Sequence, residues 1–188
     1  MAGYTAPMSL IEDEMIPALD EVGREFEQGK IFLPQLLMAS RAAQEAFEVL
    51  REVAARQNCV RDRKGKIVLA TVKGDVHDIG KNIVKVLLEN YGYDVIDLGI
   101  DVSEETIVET VVEKHIRLVG LSALMTTTVP NMEETIRQLH KSAPWCKIVV
   151  GGAVLNQRYA DKMKADCYAP TAMDTVRFAD QLFDGFCF

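Results

Sequence analysis

The sequence predicts an α/β fold, a five-stranded parallel sheet wound with helices on both faces, preceded by a two-helix segment. Two patterns carry that prediction. Beyond about residue 65, strand-like and helix-like stretches alternate five times, and such alternation is what βα units of a parallel sheet look like. From Ser9 to about Asn58, apolar residues instead recur at spacings of three or four, the period of an amphipathic helix. With 188 residues, 48% hydrophobic and 26% charged, the chain can bury a core in one domain plus a small appendage, and disorder is not the default.

The elements follow in order. Met1 to Met8 reads as a loose leader. Ile11, Met15, Leu19, Val22 and Phe26 form the stripe of a first helix; after Gly29, a second carries Leu36, Leu37, Ala43, Phe47, Leu50 and Val53. Pro34 suits the first turn of the second helix, where a missing N–H costs nothing, and Pro17 is expected to bend or loosen the first. The stretch from Gln57 to Gly65 is basic and poor in large apolar residues, a linker that divides a helical unit, 9–62, from an α/β unit, 63–188. In the latter, strands are expected near 66–71, 94–98, 117–122, 147–150 and 166–169, with helices near 80–91, 103–115, 131–142, 154–164 and 172–184. Helix starts are marked by Ser103 before Glu104 and Glu105, by Asn131 with Glu134, and by Thr171 with Asp174.

Five such strands suggest the flavodoxin-like (Rossmann-like) order, in which the chain reverses direction between the first and third strands and a ligand binds outside the carboxyl ends at that switch. The loops that meet there are 72–80 and 122–130. Gly151 and Gly152, after the fourth strand, lie on the same rim.

Composition excludes several functions. The formal net charge is -7 with no long basic block, so neither nucleic acid nor an anionic membrane surface is an expected partner. No apolar stretch is long enough to span a bilayer and no signal-peptide pattern is present, which gives the cytosol as the expected location. Cys59, Cys146, Cys167 and Cys187 are far apart and form no C-x-x-C pair, so buried or idle thiols are expected. His115 and His140 fall in helical patterns and carry no expected chemistry.

His77 differs from them. In the run Asp75-Val76-His77-Asp78-Ile79-Gly80 an imidazole follows a carboxylate by two residues, in a loop after the apolar run 67–70. Imidazole is the commonest neutral nitrogen donor to a metal, and its other ring N–H is usually passed to a carboxylate that fixes the tautomer; Asp75 is placed for that role. A bare zinc or iron site needs three or four protein ligands. A metal already held in a macrocycle needs one. A loop histidine bonded to Asp75 for structural reasons is the bland alternative. Gly80 lets backbone approach a bulky flat ring, and Asp78 is either a contact or a helix N-cap. Ser122, Thr126, Thr127 and Thr128 place four hydroxyls in the facing loop, where an ST-turn ahead of Pro130 is the alternative for the last two. Gly151 and Gly152 are either plain turn residues or small residues that leave room for an inserted group.

Asp75-x-His77-x-x-Gly80, with Ser122-x-Leu124 and Gly151-Gly152 further on, resembles the signature of cobalamin-binding domains in methionine synthase and related corrinoid methyl-transfer proteins. The likeness runs from about Ser9 to the last helix. It implies that His77 is the lower axial ligand of cobalt, with the cofactor's own base displaced and its nucleotide tail driven into the domain. It implies that Ser122 and Thr126 touch that tail, with Ala172 near it, and that Thr128, often Ser in the family, extends the His–Asp hydrogen-bond chain. Phe26 and Leu33 match positions that cover the upper face of the corrin, although both also suit ordinary helix packing. Glu12 matches a cofactor-contacting position, and Ser9-x-x-Glu12 is equally a capping box. Family members usually carry a four-helix cap, of which only the last two helices are present here; a homodimer or a fragment of a longer polypeptide is therefore expected.

The leading functional expectation is a methyl carrier using methylcobalamin, its cobalt passing between Co(I) and methyl-Co(III) as partner methyltransferase domains supply donor and acceptor. The stretches 73–99 and 121–130 look closest to methionine synthase, with the methanol and methylamine corrinoid proteins as the near alternative. No nucleophile–base arrangement is visible, so no catalytic residue is expected. An adenosylcobalamin-binding subunit of a mutase or sensor is a second class, and a cofactor-free flavodoxin-like interaction domain a third.

Overall fold

A computed structural model of the chain describes residue 10 and residues 14–56 and 64–184. Two compact units divide at Arg63 and Lys64. The first holds α1 (Ile16–Glu27) and α2 (Leu33–Arg56), which pack on each other through stripes that bury Leu19 and Leu36. Phe32 and Met38 lie off that stripe, each about seven-tenths exposed. Pro17 falls in the first turn of α1, where it removes no helical hydrogen bond. The bend expected there depends on a helix running back to Ser9, outside the described residues, and the same is true of Glu12.

The second unit runs β1 (Lys66–Thr71), α3 (Ile79–Asn90), β2 (Asp94–Asp97), α4 (Glu104–Glu113), β3 (Leu118–Ser122), a short turn of 3-10 helix (Thr126–Thr128), α5 (Val129–Ser142), β4 (Lys147–Gly151), α6 (Gln157–Met163), β5 (Cys167–Tyr168) and α7 (Ala172–Asp184). All strands are parallel, in the order β2-β1-β3-β4-β5. The flavodoxin-like order expected from the sequence is therefore the observed one, with its switch between β1 and β3. A sheet buried on both faces needs strands apolar throughout rather than alternating, and residues 67–70 of β1 and 118–121 of β3 are accordingly all buried. Helices α4 and α5 pack side by side on one face, over Val68, Ala70 and Val119; α3 and α7 pack together.

Helix starts follow local chemistry. Ser103 caps α4 by accepting from the Thr106 N–H, and Thr171 and Asp174 form the expected reciprocal cap of α7. Two expectations are corrected. Helix α5 starts at Val129 with Pro130 in its first turn, so Asn131 is inside it and caps nothing; its amide donates instead to the Lys73 carbonyl at 2.8 Å. Helix α6 starts three residues later than the apolar pattern suggests, because Asn156 accepts from the Tyr159 N–H while Leu155 is buried ahead of it.

Candidate functional site

β1 and β3 are neighbours in register from Ile67↔Leu118 to Thr71↔Ser122, so the chain leaves both at the same height. The Val72 N–H donates to the Ser122 carbonyl at 3.1 Å, beyond which the loops separate and Asp75 bridges them. Its side chain is fully buried, yet every lone pair faces a donor. Oδ2 accepts from the Leu124 N–H at 2.7 Å, the Met125 N–H at 3.2 Å and the Thr128 hydroxyl at 3.0 Å. Oδ1 accepts from the His77 backbone N–H at 3.1 Å and the His77 Nδ1–H at 2.7 Å. Burial by itself would raise this carboxyl's pKa. The bonds from Leu124, from the His77 ring and backbone and from Thr128 outweigh burial and hold the group far below the usual carboxylate range, so it is charged in the folded chain.

That charge fixes the imidazole. A carboxylate can only accept, so the shared hydrogen belongs to Nδ1, and the neutral ring keeps its free lone pair on Nε2. Nε2 makes no hydrogen bond among the described residues, and the side chain is 46% exposed. The Thr71 hydroxyl donates to the His77 carbonyl at 3.2 Å, which steadies the backbone. Around the ring, Val76, Ile79 and Leu124 expose large apolar side chains, Val76 and Ile79 by more than three-fifths. A Cβ built on Gly80 would meet nothing within 4 Å. One nitrogen donor in an apolar, open surround fits a metal that brings its other ligands in a flat macrocycle, and among the described residues no cluster of three or more His, Cys, Asp and Glu could hold a bare ion.

The remaining expected residues fall into groups. Asp78 stands at the N-cap position of α3 but caps nothing; its carboxylate accepts from the Asn82 side chain at 3.0 Å. Ser122 is half-buried and Thr126 exposed, their hydroxyls making no hydrogen bond among the described residues, whereas Thr128 is buried. The Thr128 hydroxyl also lies 2.8 Å from the Met125 carbonyl, so both the turn and the relay read from the sequence are present. Gly151 joins this loop through its carbonyl, which accepts from the Ala123 N–H at 3.2 Å. Gly152 has φ +136°, and a Cβ there would lie 1.8 Å from the Ala123 carbonyl oxygen. The space its missing side chain leaves is thus taken by the β3 loop, and the reason given for it above is replaced by close backbone approach. Ala172 is half-buried at the start of α7. Phe26 and Leu33 belong to the helical unit, both half-buried.

The loop after β2 was missed. Asp101 donates its N–H to the Asp75 carbonyl at 2.9 Å, and Ile100 beside it is 43% exposed on the same rim. Its signal in the sequence was slight: a strand ending at Gly99, followed by an Asp able to take left-handed backbone.

The family profile described as a B12 binding domain matches residues 65–177, the unit that carries this loop pair, and a second B12 binding domain profile matches residues 1–51. The chain belongs to the B12-binding domain family. This B12-binding chain is 40% identical over 182 residues to dimethylamine corrinoid protein 1 of Methanosarcina acetivorans, covering 96% of this chain and 85% of the relative. It is 39% identical over 178 residues to trimethylamine corrinoid protein 1 of the same organism, covering 94% and 82%. Among solved structures, a methanol:cobalamin methyltransferase complex from Methanosarcina barkeri superposes with a TM-score of 0.80 at 34% identity, over 95% of this chain and 68% of that one. A cobalamin-binding protein from Desulfitobacterium hafniense gives 0.79 at 34%, over 94% and 83%. This is a cobalamin-binding chain of the corrinoid methyl-transfer type. The likeness to methionine synthase yields to its near alternative, because these relatives are methylamine corrinoid proteins. The His77 and Thr128 loops identify the cofactor, which both groups share, and say little about the reaction. No helix among the described residues is long and apolar enough to cross a membrane.

Proposed function

We propose that this chain is the methyl-carrying corrinoid component of a methylamine methyltransferase system, bound to cobalamin through His77 with the cofactor's own base displaced. The observation that carries the reading is the ion pair of a buried, charged Asp75 with His77 Nδ1 at 2.7 Å, which leaves Nε2 as a donor on an apolar rim. The 40% identity to a dimethylamine corrinoid protein over nearly the whole chain supports the methylamine class of donor.

Bound there, the corrinoid's cobalt supplies reversible acceptance and release of a methyl group, with methylcobalamin as the loaded form. His77 Nε2 holds the metal, and Asp75 keeps the ring in the one tautomer able to do so. Val76, Ile79 and Leu124 present apolar surface to the macrocycle and keep water from it. Ser122 and Thr126 offer hydroxyls to the nucleotide tail, with Gly151, Gly152 and Ala172 nearby in the unit's sequence order. Phe26, Leu33 and Glu12 belong to the helical unit, whose role is to shield the reactive face. Donor and acceptor are held by partner methyltransferases, so this chain carries the group without catalysing transfer alone.

The test is an absorption titration with methylcobalamin. The expected result is a spectrum in which the cofactor's benzimidazole is displaced, lost in His77→Ala, followed by demethylation or methylation only when a methylamine methyltransferase is added. Binding with the benzimidazole still on the metal overturns the ligand assignment. Turnover with a methanol methyltransferase but with no methylamine enzyme moves the chain to the methanol class, the second reading, which the TM-score of 0.80 supports.

A further inference from the structure

Two carboxylates in the loop between β2 and α4 take hold of the His77 segment on either side of the imidazole. Ahead of it, Asp101 donates its backbone N–H to the Asp75 carbonyl at 2.9 Å and accepts from the Gly74 N–H through Oδ1 at 2.7 Å. Behind it, Asp97 accepts from Lys81 Nζ at 2.5 Å, in the first turn of the helix that His77 leads into. The Lys81 side chain is 3% exposed, and the same Asp97 oxygen accepts from the Gly99 N–H at 2.9 Å, closing its own loop. The loop edge continues the sheet, with Val102 bridged to Val72.

Backbone conformation singles out Asp101 further. Its φ is +51°, in the left-handed region that a side chain rarely enters and that Asp and Asn tolerate best. Gly74, which it holds, has φ +83°. Two adjacent loops therefore each take up a disfavoured turn in order to meet, and the contact they gain touches Asp75 rather than any large apolar surface. Strain retained next to a ligand-bearing loop is a mark of preorganisation.

We propose that Asp101 is a positioning residue for the Asp75–His77 pair, with the Asp97–Lys81 ion pair as its second anchor, so that residues 97–101 brace the imidazole before a corrinoid arrives. The inference rests on the reading of His77 as the ligand, but the brace is a property of the chain without cofactor. It differs from Asp75 in acting on the backbone on both sides of His77 while touching neither the ring nor the metal.

Three variants separate its parts. Asp101→Asn keeps both the left-handed turn and an accepting oxygen. Asp101→Gly keeps the turn, relieves its strain and removes the acceptor, so it is expected to fold. Lys81→Met removes the second anchor. In the cofactor-free protein, amide exchange at residues 74–78 and the His77 Nδ1–H resonance are read by NMR; in the loaded protein, methylcobalamin affinity and the spectrum of His ligation. Loss of one such hydrogen bond predicts about five- to tenfold faster exchange and a similar loss of affinity in Asp101→Gly and Lys81→Met, with Asp101→Asn within about twofold of the parent. Unchanged exchange in Asp101→Gly overturns the brace, whatever the cofactor does. A parent chain that binds no methylcobalamin through His77 overturns the ligand reading instead, and the exchange measurements still decide the brace.

Discussion

Replacing Asp75 by Asn changes one oxygen to an NH2 group at constant shape, in a pocket that offers five donors and nothing else. The amide has two ways to turn. With its NH2 towards residues 124–128, two backbone N–H groups lose their acceptor in a buried setting, at about 1–3 kcal/mol each. With its NH2 towards His77, only the His77 backbone N–H is lost, but Nδ1 must then accept, and the ring hydrogen moves to Nε2. The second arrangement wins by roughly one buried N–H, about 1–3 kcal/mol. A ring protonated on Nε2 cannot ligate a metal, so His ligation must first recover that difference and weakens by about five- to 150-fold. Two assays read this: methylcobalamin titration for His-ligated absorption, and long-range proton–nitrogen NMR of the cofactor-free chain for the tautomer. An Asp75→Asn chain that keeps Nδ1–H and parental His ligation would refute the argument that the carboxylate sets the tautomer.

Other outcomes follow from the same geometry. Thr128→Val removes a hydroxyl that is 3.0 Å from Asp75 Oδ2 and buried; the two backbone N–H donors remain, so the urea midpoint should fall by the equivalent of about 1–2 kcal/mol and the fold persist. Gly152→Ala would place a Cβ 1.8 Å from the Ala123 carbonyl oxygen at φ +136°, and is expected to cost about 3 kcal/mol or more and to displace the Leu124 N–H from Asp75, seen as loss of both stability and His ligation. Asp75, Asp97 and Asp174 all titrate below their ordinary range in the folded chain: burial opposes this in each, and hydrogen bonds and cations outweigh it. The unfolded chain therefore takes up these protons first, near pH ~4. Stability should be flat above that value and fall as pH drops through it towards the folded pKa values, with a shallower fall in Asp75→Asn; a decline starting near pH 6 would contradict the assignment. Burial, helped by Asp166, pushes the Cys146 thiol up to about 12, so mass-mapped maleimide labelling at pH 8 should modify Cys146 only after unfolding.

The fold was legible because its signals are periodic and local. Continuous apolar strands, the caps at Ser103 and Thr171, and the alternation of units all report on nearby residues. The loop pair was legible for a different reason: the order of a doubly wound sheet places the ends of β1 and β3 together, and both ends carry polar residues that need partners. What was hidden depends on contacts between segments distant in sequence. Asn131 looked like a cap because its spacing to Glu134 suits one, and only the fold shows that Lys73 claims its amide. Gly152 looked like room for a ligand because a missing side chain does not say what fills its place. Asp101 left almost no trace, since its work lies in a backbone turn and two bonds made across 26 and 27 residues.

The two oxygens of Asp75 divide two tasks that a carrier must keep apart. Oδ2 is committed to the fold, tying the β3 loop to the β1 loop through three donors that no cofactor touches. Oδ1 is committed to His77 alone, backbone and ring. Weakening of the bond between imidazole and metal therefore alters one hydrogen bond on one oxygen and leaves the loop junction intact. A histidine held only by a surface carboxylate would lose its orientation each time the metal let go. Here the acceptor is buried, charged and anchored from the other side, so the ring returns to the same place and the same tautomer. That is the physical requirement for a chain that must hold its cofactor through repeated loading and unloading.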